Sequence, residues 1–361
     1  MANPSVDASA RHAIYVERLA ATNANKLDPE LKALAAYVRS RLAAEGTLIP
    51  SKKAMDLIIK DVQKKFSSVY IRWEKQTGKF LNELTDYETT FQTGIINAET
   101  TDDYTAKKPK NKASKAKVKT QPLMIGSNGG AISQAALVNN FSKNEVEKVT
   151  GLIKTGYYQG RTTSQISTSI TGTKTNQFND GVMVSTKRNA TSISKTSATH
   201  VSTIVSETVY KENDRAVKGY IITAVLDNRT SKICRGLDDT RVSFDDNYQP
   251  KPPFHVRCRT TTRPWLREDL DAIKKAERQT IGAEGKEFES TGKQYYSWLK
   301  EQPSWFQDDV LGKVEGKVFR NAGLSPQQFK AATIKRDGTP LSLNEMAQKD
   351  DQIKKYLKEL K

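Results

Sequence analysis

The first hundred residues carry apolar side chains at helical spacing. A stripe between positions 31 and 42 repeats every three or four residues, which places its members on one face of a helix. Asp28 can cap this helix with Pro29 at its first position, and Gly46 marks its end. We therefore predict a helix with one buried face. The stripe residues are Leu31, Leu34, Val38 and Leu42.

A second, longer stripe predicts another amphipathic helix, which Ser51 can cap. The pattern passes Gly78, and further apolar residues continue it. Such faces have to be covered, either by packing against each other within the chain or by docking onto another chain. The stripe comprises Ile58, Val62, Phe66, Val69 and Trp73 before the glycine, and Phe80, Leu84, Tyr87 and Phe91 after it.

Helical spacing returns after residue 131. Ser142 and Glu145 have the spacing of a capping box and predict the start of a helix. A short helix is predicted over Thr162–Gly172 and a longer one over Ile193–Tyr210. The Ser-, Thr- and Asn-rich segment between them is predicted to form a loop in its middle, because such side chains compete with helical hydrogen bonds.

The pattern then changes to that of β-strands. Gly219–Leu226 is rich in β-branched and aromatic residues, as a buried strand should be. Arg241–Phe244 and Thr260–Thr262 predict two further short strands, separated by long loops. Together these segments predict a small β-meander that displays polar groups at its strand ends.

Short helices are predicted for the rest of the chain. Glu268–Thr280 is amphipathic, and Ser342 opens a capping box for the last helix. Trp298, Trp305 and Phe306 are predicted to form the core of this part, with an aromatic surface for a partner as the alternative. The predicted fold class is therefore α+β and predominantly α-helical. Three further helices are predicted over Tyr295–Glu301, Ser304–Leu311 and Ser325–Ala332.

Residues 99–131 differ from both flanks, because their prolines and glycines predict a linker or surface arm instead of a packed element. The run Lys107–Lys119 holds seven lysines and no acidic residue, in a chain whose formal net charge is +17. This balance favours a polyanionic partner. Non-specific contact with DNA phosphates competes with a solvated tether as its explanation. The seven are Lys107, Lys108, Lys110, Lys112, Lys115, Lys117 and Lys119.

Membrane insertion and export are not expected from the sequence. No run of 18 apolar residues is present, so neither a transmembrane helix nor a membrane partner is predicted. The N-terminus lacks a charged segment followed by an apolar core, which argues against a secretory signal. With two cysteines in 361 residues, these features predict a reducing compartment, where a disulfide is not the default.

Both cysteines lie in one polar stretch, Asp227–Arg263, together with one of the three histidines. Thiolates, imidazole and carboxylates are zinc ligands, so Cys234, His255 and Cys258, with Asp227 or Asp238 nearby, could bind a structural zinc ion. A turn is needed for this, because on a flat strand His255 and Cys258 would point to opposite faces. The expectation is therefore either no cofactor or one structural zinc ion.

Two alternatives need no metal. In one, His255 is hydrogen-bonded to Asp227 or to the backbone, and the thiols are buried as small hydrophobes. In the other, a cysteine is a nucleophile with His255 as its base, and nearby arginines bind an anionic substrate. The sequence has neither a Gly-rich phosphate loop nor paired carboxylates at a telling spacing, so we favour the architectural alternatives over catalysis.

Two ordered patterns run through this stretch. The first, Leu-Asp-x-Arg-Thr-Ser-x-x-Cys-Arg-x-Leu-Asp, spans Leu226 to Asp238, and the second, Pro-Pro-x-His-x-x-Cys-Arg, spans Pro252 to Arg259. Their order resembles the phage head morphogenesis family, the phage Mu F-like minor head proteins. Asp239 departs from that family, which usually has glycine there. The predicted structural polar cluster comprises Asp227, Arg229, Thr230, Cys234, Asp238, His255, Cys258 and Arg259.

The resemblance covers residues 135–345 and implies a minor head protein that binds the phage portal protein. It further implies a part in procapsid assembly, DNA packaging or DNA ejection. The implied location is the virion, inside the capsid near the portal vertex, and the host cytoplasm during assembly. Coat or scaffold protein and double-stranded DNA are the further partners.

The chain is predicted not to be an enzyme, because it has no Gly-rich phosphate loop and no paired carboxylates at a telling spacing. The alternative is a Cys/His-dependent hydrolase or transferase of phage or mobile-element origin. Four parts are predicted along the chain. They are an N-terminal helical region that can dock a partner (1–98), a Lys-rich linker or arm (99–131), the head morphogenesis core (132–266) and a C-terminal helical subdomain (267–361).

Overall fold

The computed structural model describes residues 4–101, 103–125, 130–267, 277–290, 293–335 and 338–360. In this part the chain is predominantly helical with a few small antiparallel sheets, so the predicted α+β fold class is confirmed. None of the helices described there is both long enough and apolar enough to cross a bilayer.

Long helices make up most of the first half of the chain, and short strands and short helices most of the second. The first half of the chain forms α1 (Pro4–Asn25), α2 (Asp28–Ala43), α3 (Lys52–Glu99), α4 (Asn111–Thr120), β1 (Leu123–Met124), β2 (Ala131–Ile132), α5 (Gln134–Tyr158), α6 (Thr163–Thr171) and α7 (Val182–Glu212). The second half forms β3 (Val217–Thr223), α8 (Lys232–Leu237), β4 (Arg241–Ser243), β5 (Thr261–Leu266), β6 (Glu277–Gly282), β7 (Gly285–Ser290), α9 (Tyr295–Glu301), α10 (Ser304–Leu311), α11 (Lys313–Asn321), α12 (Pro326–Thr333), α13 (Leu343–Lys349) and α14 (Asp351–Glu359).

The chain folds into two compact units, each assembled from separate segments. The larger comprises Met1–Val16, Thr85–Ala131 and Thr199–Lys361, and the smaller comprises Glu17–Leu84 and Ile132–Ala198. This grouping does not follow chain order, and the four-part division along the sequence stays a prediction.

The smaller unit has an apolar core to which both predicted stripes contribute. Phe66 is fully buried, and Tyr70 packs edge-on against Phe141 with ring centroids 5.3 Å apart. The stripes of α2 and of the first half of α3 are thus covered by packing within the chain, which confirms that alternative for them. The core includes Leu31, Leu34, Val38, Leu42, Ile58, Val62, Phe66, Val69, Trp73, Phe141, Val149, Ile153, Ile166 and Ile170.

The larger unit contains the predicted strands and the short C-terminal helices. β3 lies between β4 and β5 in one antiparallel sheet, so the middle strand is β3 and not β4. Gly219 is required in β3, because an added Cβ would lie 2.0 Å from the carbonyl oxygen of Val242. A second apolar core joins Leu226, just after β3, to aromatic side chains of α9 to α12.

Several helices begin where the sequence predicts. α6 has a capping box formed by Thr162 and Gln165, and α12 has one formed by Ser325 and Gln328. Ser342 caps α13 in the same way. Each of these signals acts within four residues, so it can be recognised without knowledge of the tertiary structure.

The capping box predicted at Ser142 is wrong. α5 begins at Gln134, and Ser133 is its N-cap, with its Oγ accepting a hydrogen bond from the Ala136 backbone. Glu145 is instead a buried acceptor inside the helix, bound at 2.8 Å by Thr186 Oγ1 and at 2.7 Å by Asn189 Nδ2. Glu145 therefore bonds to side chains of α7 and does not cap α5.

α7 begins at Val182, well before the predicted start at residue 193. Its hydroxyl groups do not disrupt the helix, because they donate to carbonyls one turn earlier. Thr191 Oγ1 donates to the carbonyl of Lys187 at 2.9 Å, and Ser192 Oγ to that of Arg188 at 2.8 Å. The Ser/Thr-rich composition is thus compatible with an unbroken helix.

Three further predictions need correction. The helix predicted over 268–280 is wrong at its end, because Glu277–Gly282 is strand β6; residues 268–276 lie outside the described part. The predicted linker contains a packed helix, α4, in which Ser114 and Val118 are buried. Trp298 and Phe306 are core residues as predicted, whereas Trp305 is 61% exposed.

Replacing Phe66 with Ala should destabilise the chain by about 3–5 kcal/mol, because it leaves a cavity in the core of the smaller unit. The control is Leu57→Ala on the same helix, which should change stability by less than about 0.5 kcal/mol because Leu57 is 49% exposed. Urea unfolding measures both. Equal losses would contradict the assigned core.

Candidate functional site

The predicted polar cluster is built from two segments that the sheet holds in place. Cys234 lies on α8, whose N-cap Ser231 accepts a hydrogen bond at 3.4 Å from the backbone N–H of Cys234. His255 and Cys258 lie on the loop between β4 and β5. The loop is further attached where Thr199 Oγ1 donates to the carbonyl of Cys258 at 2.7 Å.

A tight turn brings His255 and Cys258 together. The backbone N–H of Cys258 donates to the carbonyl of His255 at 3.1 Å, which closes a four-residue turn. Arg257, its third residue, has φ +61°, the sign that a type II turn requires at that position. This is the turn that was needed for His255 and Cys258 to point to the same side. The ligand atoms of Cys234, His255 and Cys258 lie within 4.8 Å of one another.

The two sulfur atoms face the ring of His255. Cys234 Sγ lies 3.2 Å from His255 Nε2 and 3.7 Å from Cys258 Sγ. A disulfide would need a separation of about 2.05 Å, so both cysteines are free. His255 Nδ1 donates to the carbonyl of Val256 at 2.9 Å, so Nε2 is the ring nitrogen that faces the sulfur atoms.

The two thiols differ in acidity. The hydrogen bond to Cys258, reinforced by burial, raises the pKa of Cys234 well above its ordinary value. Burial would raise the pKa of Cys258 too, but hydrogen bonds from Cys234 and His255 hold it well below its ordinary value. The hydrogen bond with Cys258 also raises the pKa of His255, against the effect of burial. The cluster thus favours a thiolate on Cys258 beside a thiol on Cys234.

A buried ion pair borders this cluster. Arg259 donates through Nη1 to Asp227 Oδ2 at 2.6 Å and through Nη2 to Oδ1 at 2.8 Å. The two side chains are only 10% and 3% exposed. Asp227 and the backbone were the two partners considered for His255. The structure shows the bond to the backbone, and Asp227 is bound to Arg259 instead.

Asp227 also organises the turn after β3. Its Oδ1 accepts from the backbone N–H of Arg229 and from Thr230 Oγ1, both at 3.0 Å. Thr230 Oγ1 is close to the carbonyl of Val225 as well. The side chain of Arg229 is exposed, and its backbone N–H makes the bond to Asp227. The remaining predicted carboxylate, Asp238, acts elsewhere.

Asp238 is fully buried and accepts from the backbone N–H groups of Ala224 and Tyr295, each at 2.9 Å. Tyr295 in turn donates through its hydroxyl to the carbonyl of Asp227 at 2.6 Å. These bonds join the end of β3 to α9. Tyr295 was not recognised as a site residue from the sequence, because its partners lie 57 and 68 residues away in the chain.

Arg235 is buried and joins neighbouring segments through hydrogen bonds. Its Nη1 donates to the carbonyls of Thr230 and Val310 at 3.0 and 3.1 Å, and its guanidinium lies over the ring of Tyr295. It is 7% exposed. These contacts describe a structural residue and do not support the anion-binding role considered from the sequence.

Residues 147–263 match the family model described as Phage Mu protein F like protein. The resemblance drawn from the sequence is thereby confirmed for this segment, which contains every residue of the predicted polar cluster. The match supports a phage Mu F-like head morphogenesis protein. No curated protein and no solved structure matches the chain significantly.

Asp239 replaces the usual glycine within the phage Mu F-like segment, and the backbone keeps a conformation that glycine adopts easily. Its φ is +58°, and its N–H donates to the carbonyl of Ile222 at 2.8 Å. Its carboxylate lies 3.3 Å from Arg263 Nη2. Asp239 therefore has the left-handed backbone conformation, although it is not the glycine that is usual at this position.

The phage Mu F-like segment also borders a cleft of about 500 Å³ in the larger unit. Ile233 and Phe254, the neighbours of Cys234 and His255 in sequence, contribute to its walls. His200 also lines it, and burial lowers the pKa of its ring to about 4. This histidine is therefore neutral at pH 7.

The seven predicted DNA-binding lysines lie outside the phage Mu F-like segment. Lys115 is half-buried and pairs with Asp86 at 2.7 Å, and Lys108 donates to Thr90 Oγ1 at 2.8 Å. The lysines at 107, 108, 110, 112, 117 and 119 are exposed. These six side chains therefore lie on the surface, on α4 or just before it. They are distant in sequence from the Cys/His cluster.

Replacing Arg259 with Ala should cost about 3–5 kcal/mol of unfolding free energy, because it leaves the carboxylate of Asp227 buried without its ionic partner. The matched control is Arg72→Ala, which breaks an exposed ion pair with Glu30 and should cost at most about 1 kcal/mol. Urea unfolding compares them. A loss at Arg259 no larger than that at Arg72 would show that the pair does not hold the site.

Position 239 offers a test of its backbone conformation. Asp239→Gly and Asp239→Ala both remove the carboxylate, but only alanine retains the steric cost of a left-handed φ. The glycine variant should therefore be the more stable by about 1 kcal/mol in thermal or urea unfolding. An alanine variant as stable as the glycine variant would refute the left-handed turn.

Proposed function

We propose that the chain is a phage minor head protein that binds the portal protein and takes part in procapsid assembly, DNA packaging or DNA ejection. The observation that carries this proposal is the family match over residues 147–263. Within that range the two sequence patterns meet in one buried cluster. In the virion, the proposed location is the capsid interior near the portal vertex, with coat or scaffold protein as further partners.

An architectural role for the Cys/His cluster supports this proposal. Cys234 and Cys258 are each 2% exposed, so a substrate has little access to either sulfur atom. Asp227 and Arg259 are bound to each other, and Asp238 to backbone N–H groups. Groups engaged in this way hold segments together and are poorly placed to bind and release a substrate.

The charge arrangement on α4 supports non-specific contact with double-stranded DNA. The helix has no acidic residue in its first turn, and its N-cap Lys110 makes no side-chain capping bond. Positive charge at a helix N-terminus opposes the helix dipole, so Lys110 and Lys112 do not favour the helix, whereas Lys117 and Lys119 in its last turn do. Phosphates would supply the missing counter-charge.

The family resemblance supports portal binding. The apolar stripes of α2 and the first half of α3 are used in the core of the smaller unit, and the proposed portal contact therefore involves other surfaces. This replaces the idea that the stripes themselves dock onto a partner.

The DNA contact predicts binding to unrelated duplex sequences with equal affinity, weakening steeply as salt is raised. Each lysine that contacts a phosphate should contribute about 0.9 to the slope of log affinity against log salt. Changing the exposed lysines at 107, 108, 110, 112, 117 and 119 to Gln should flatten this slope.

The matched control changes an equal number of exposed lysines elsewhere, at 52, 53, 60, 64, 75 and 143, and should leave most of the slope intact. Filter binding or fluorescence anisotropy with the full chain measures both variants. Affinity that is indifferent to salt, or an equal effect of the two sets, would overturn the assignment to α4.

The portal contact predicts that the chain co-purifies with the portal protein of the same phage when both are expressed together. Capsid shells assembled without portal protein should carry much less of the chain than shells assembled with it. Quantitative mass spectrometry of purified particles provides the measurement. Equal amounts in both kinds of shell would contradict portal binding while leaving the head-protein assignment standing.

A further inference from the structure

We propose that Cys234, His255 and Cys258 bind one zinc ion, with a water molecule as the fourth ligand. Such an ion would join α8 to the loop between β4 and β5. The inference rests on the geometry of these three side chains and does not depend on the proposed function of the whole chain.

The distances between the ligand atoms fit zinc. With Zn–S bonds of about 2.3 Å and tetrahedral angles, two sulfur ligands lie about 3.8 Å apart. A sulfur and an imidazole nitrogen lie about 3.6 Å apart on the same basis. The observed separations are 3.7 Å between the sulfur atoms and 3.2 Å from Cys234 Sγ to His255 Nε2. An ion fits these two pairs after shifts of a few tenths of an ångström. All three ligand atoms lie within 4.8 Å of one another, so the remaining pair has to close by at most about 1.2 Å.

The histidine is already oriented as a ligand. Its Nδ1 donates to the carbonyl of Val256, so Nε2 is the nitrogen left to bind a metal, and it lies 3.2 Å from Cys234 Sγ. Metal-bound histidines usually have such a partner on the second ring nitrogen. A histidine that only filled space would not need this tautomer or this direction.

The donor set selects zinc over harder ions. Two thiolates and an imidazole favour zinc, whereas calcium and magnesium need oxygen ligands. Two thiolates also balance the charge of a divalent ion in a site where both sulfur atoms are buried. Asp227 is bound by Arg259, so it is not available as a ligand without breaking that pair.

The fourth ligand comes from outside the cluster. Among the described residues, the group of metal-ligating side chains at this place has three members. Val256 is 52% exposed and lies next to His255 in the turn, so solvent reaches this end of the site. Three protein ligands and one water molecule complete four-coordinate zinc.

The first experiment measures metal in the full chain, purified under reducing conditions without a chelator. Plasma mass spectrometry should find one zinc ion per chain. Replacement by Co²⁺ should give the intense visible bands of a tetrahedral site and the near-ultraviolet bands of thiolate ligation. Absence of zinc together with an octahedral cobalt spectrum would overturn the proposal, as would a disulfide between Cys234 and Cys258 in that preparation.

The second experiment compares His255→Ala with its neighbour Val256→Ala in competition with a chromophoric chelator. Loss of the imidazole should weaken zinc binding by more than about 100-fold, beyond the usual effect of a residue that only supports a ligand. Val256→Ala should keep wild-type affinity, because its backbone carbonyl is retained. Equal affinities would refute the site. Should His255→Ala fail to fold, the cobalt spectrum of the wild-type chain decides the question.

Discussion

The buried ion pair between Asp227 and Arg259 is the interaction on which the candidate site depends. Asp227 stands just after β3 and Arg259 just before β5, so the pair joins the two ends of the Cys/His segment next to the central sheet. Burying two charges is costly unless both are well bonded, and here the carboxylate also receives the backbone of Arg229 and the hydroxyl of Thr230. These bonded groups, which we call the frame of the site, hold in place the two segments that carry the thiols and the imidazole.

The frame extends into the C-terminal helices. Tyr295 bonds to both Asp227 and Asp238, and Arg235 reaches the carbonyl of Val310. The aromatic core behind them starts from Leu226, the residue before the ion pair. Polar bonds and apolar packing therefore stabilise the same junction, which suits a component that must keep its shape within an assembly more than one that must open for a substrate.

Much of this architecture could be predicted where the signal was local. The stripe on α2 and the capping box of α13 depend on residues within a few positions of each other, and both were located correctly. Cys234, His255 and Cys258, which stand in two short ordered patterns of the sequence, have their ligand atoms within 4.8 Å of one another. The matched segment, residues 147–263, includes both patterns.

The remaining features depend on contacts that are distant in sequence. Glu145 resembles a cap but is a buried acceptor for α7, and the hydroxyl-rich start of α7 is helical because its side chains bond to their own helix. α4 packs through Ser114 and Val118 although its lysines suggest an arm. The partner of Asp227 also depends on a distant contact: His255 was considered from the sequence, and in the structure Asp227 is bound to Arg259.

A double-mutant cycle on Asp227 and Arg259 tests the central claim most directly. Unfolding free energies would be measured for Asp227→Ala, Arg259→Ala and the chain that carries both changes. The pair predicts that the double variant loses less than the sum of the single losses, with a coupling energy of about 1–3 kcal/mol. Additive losses would show that the two residues act independently and that the frame of the site lies elsewhere.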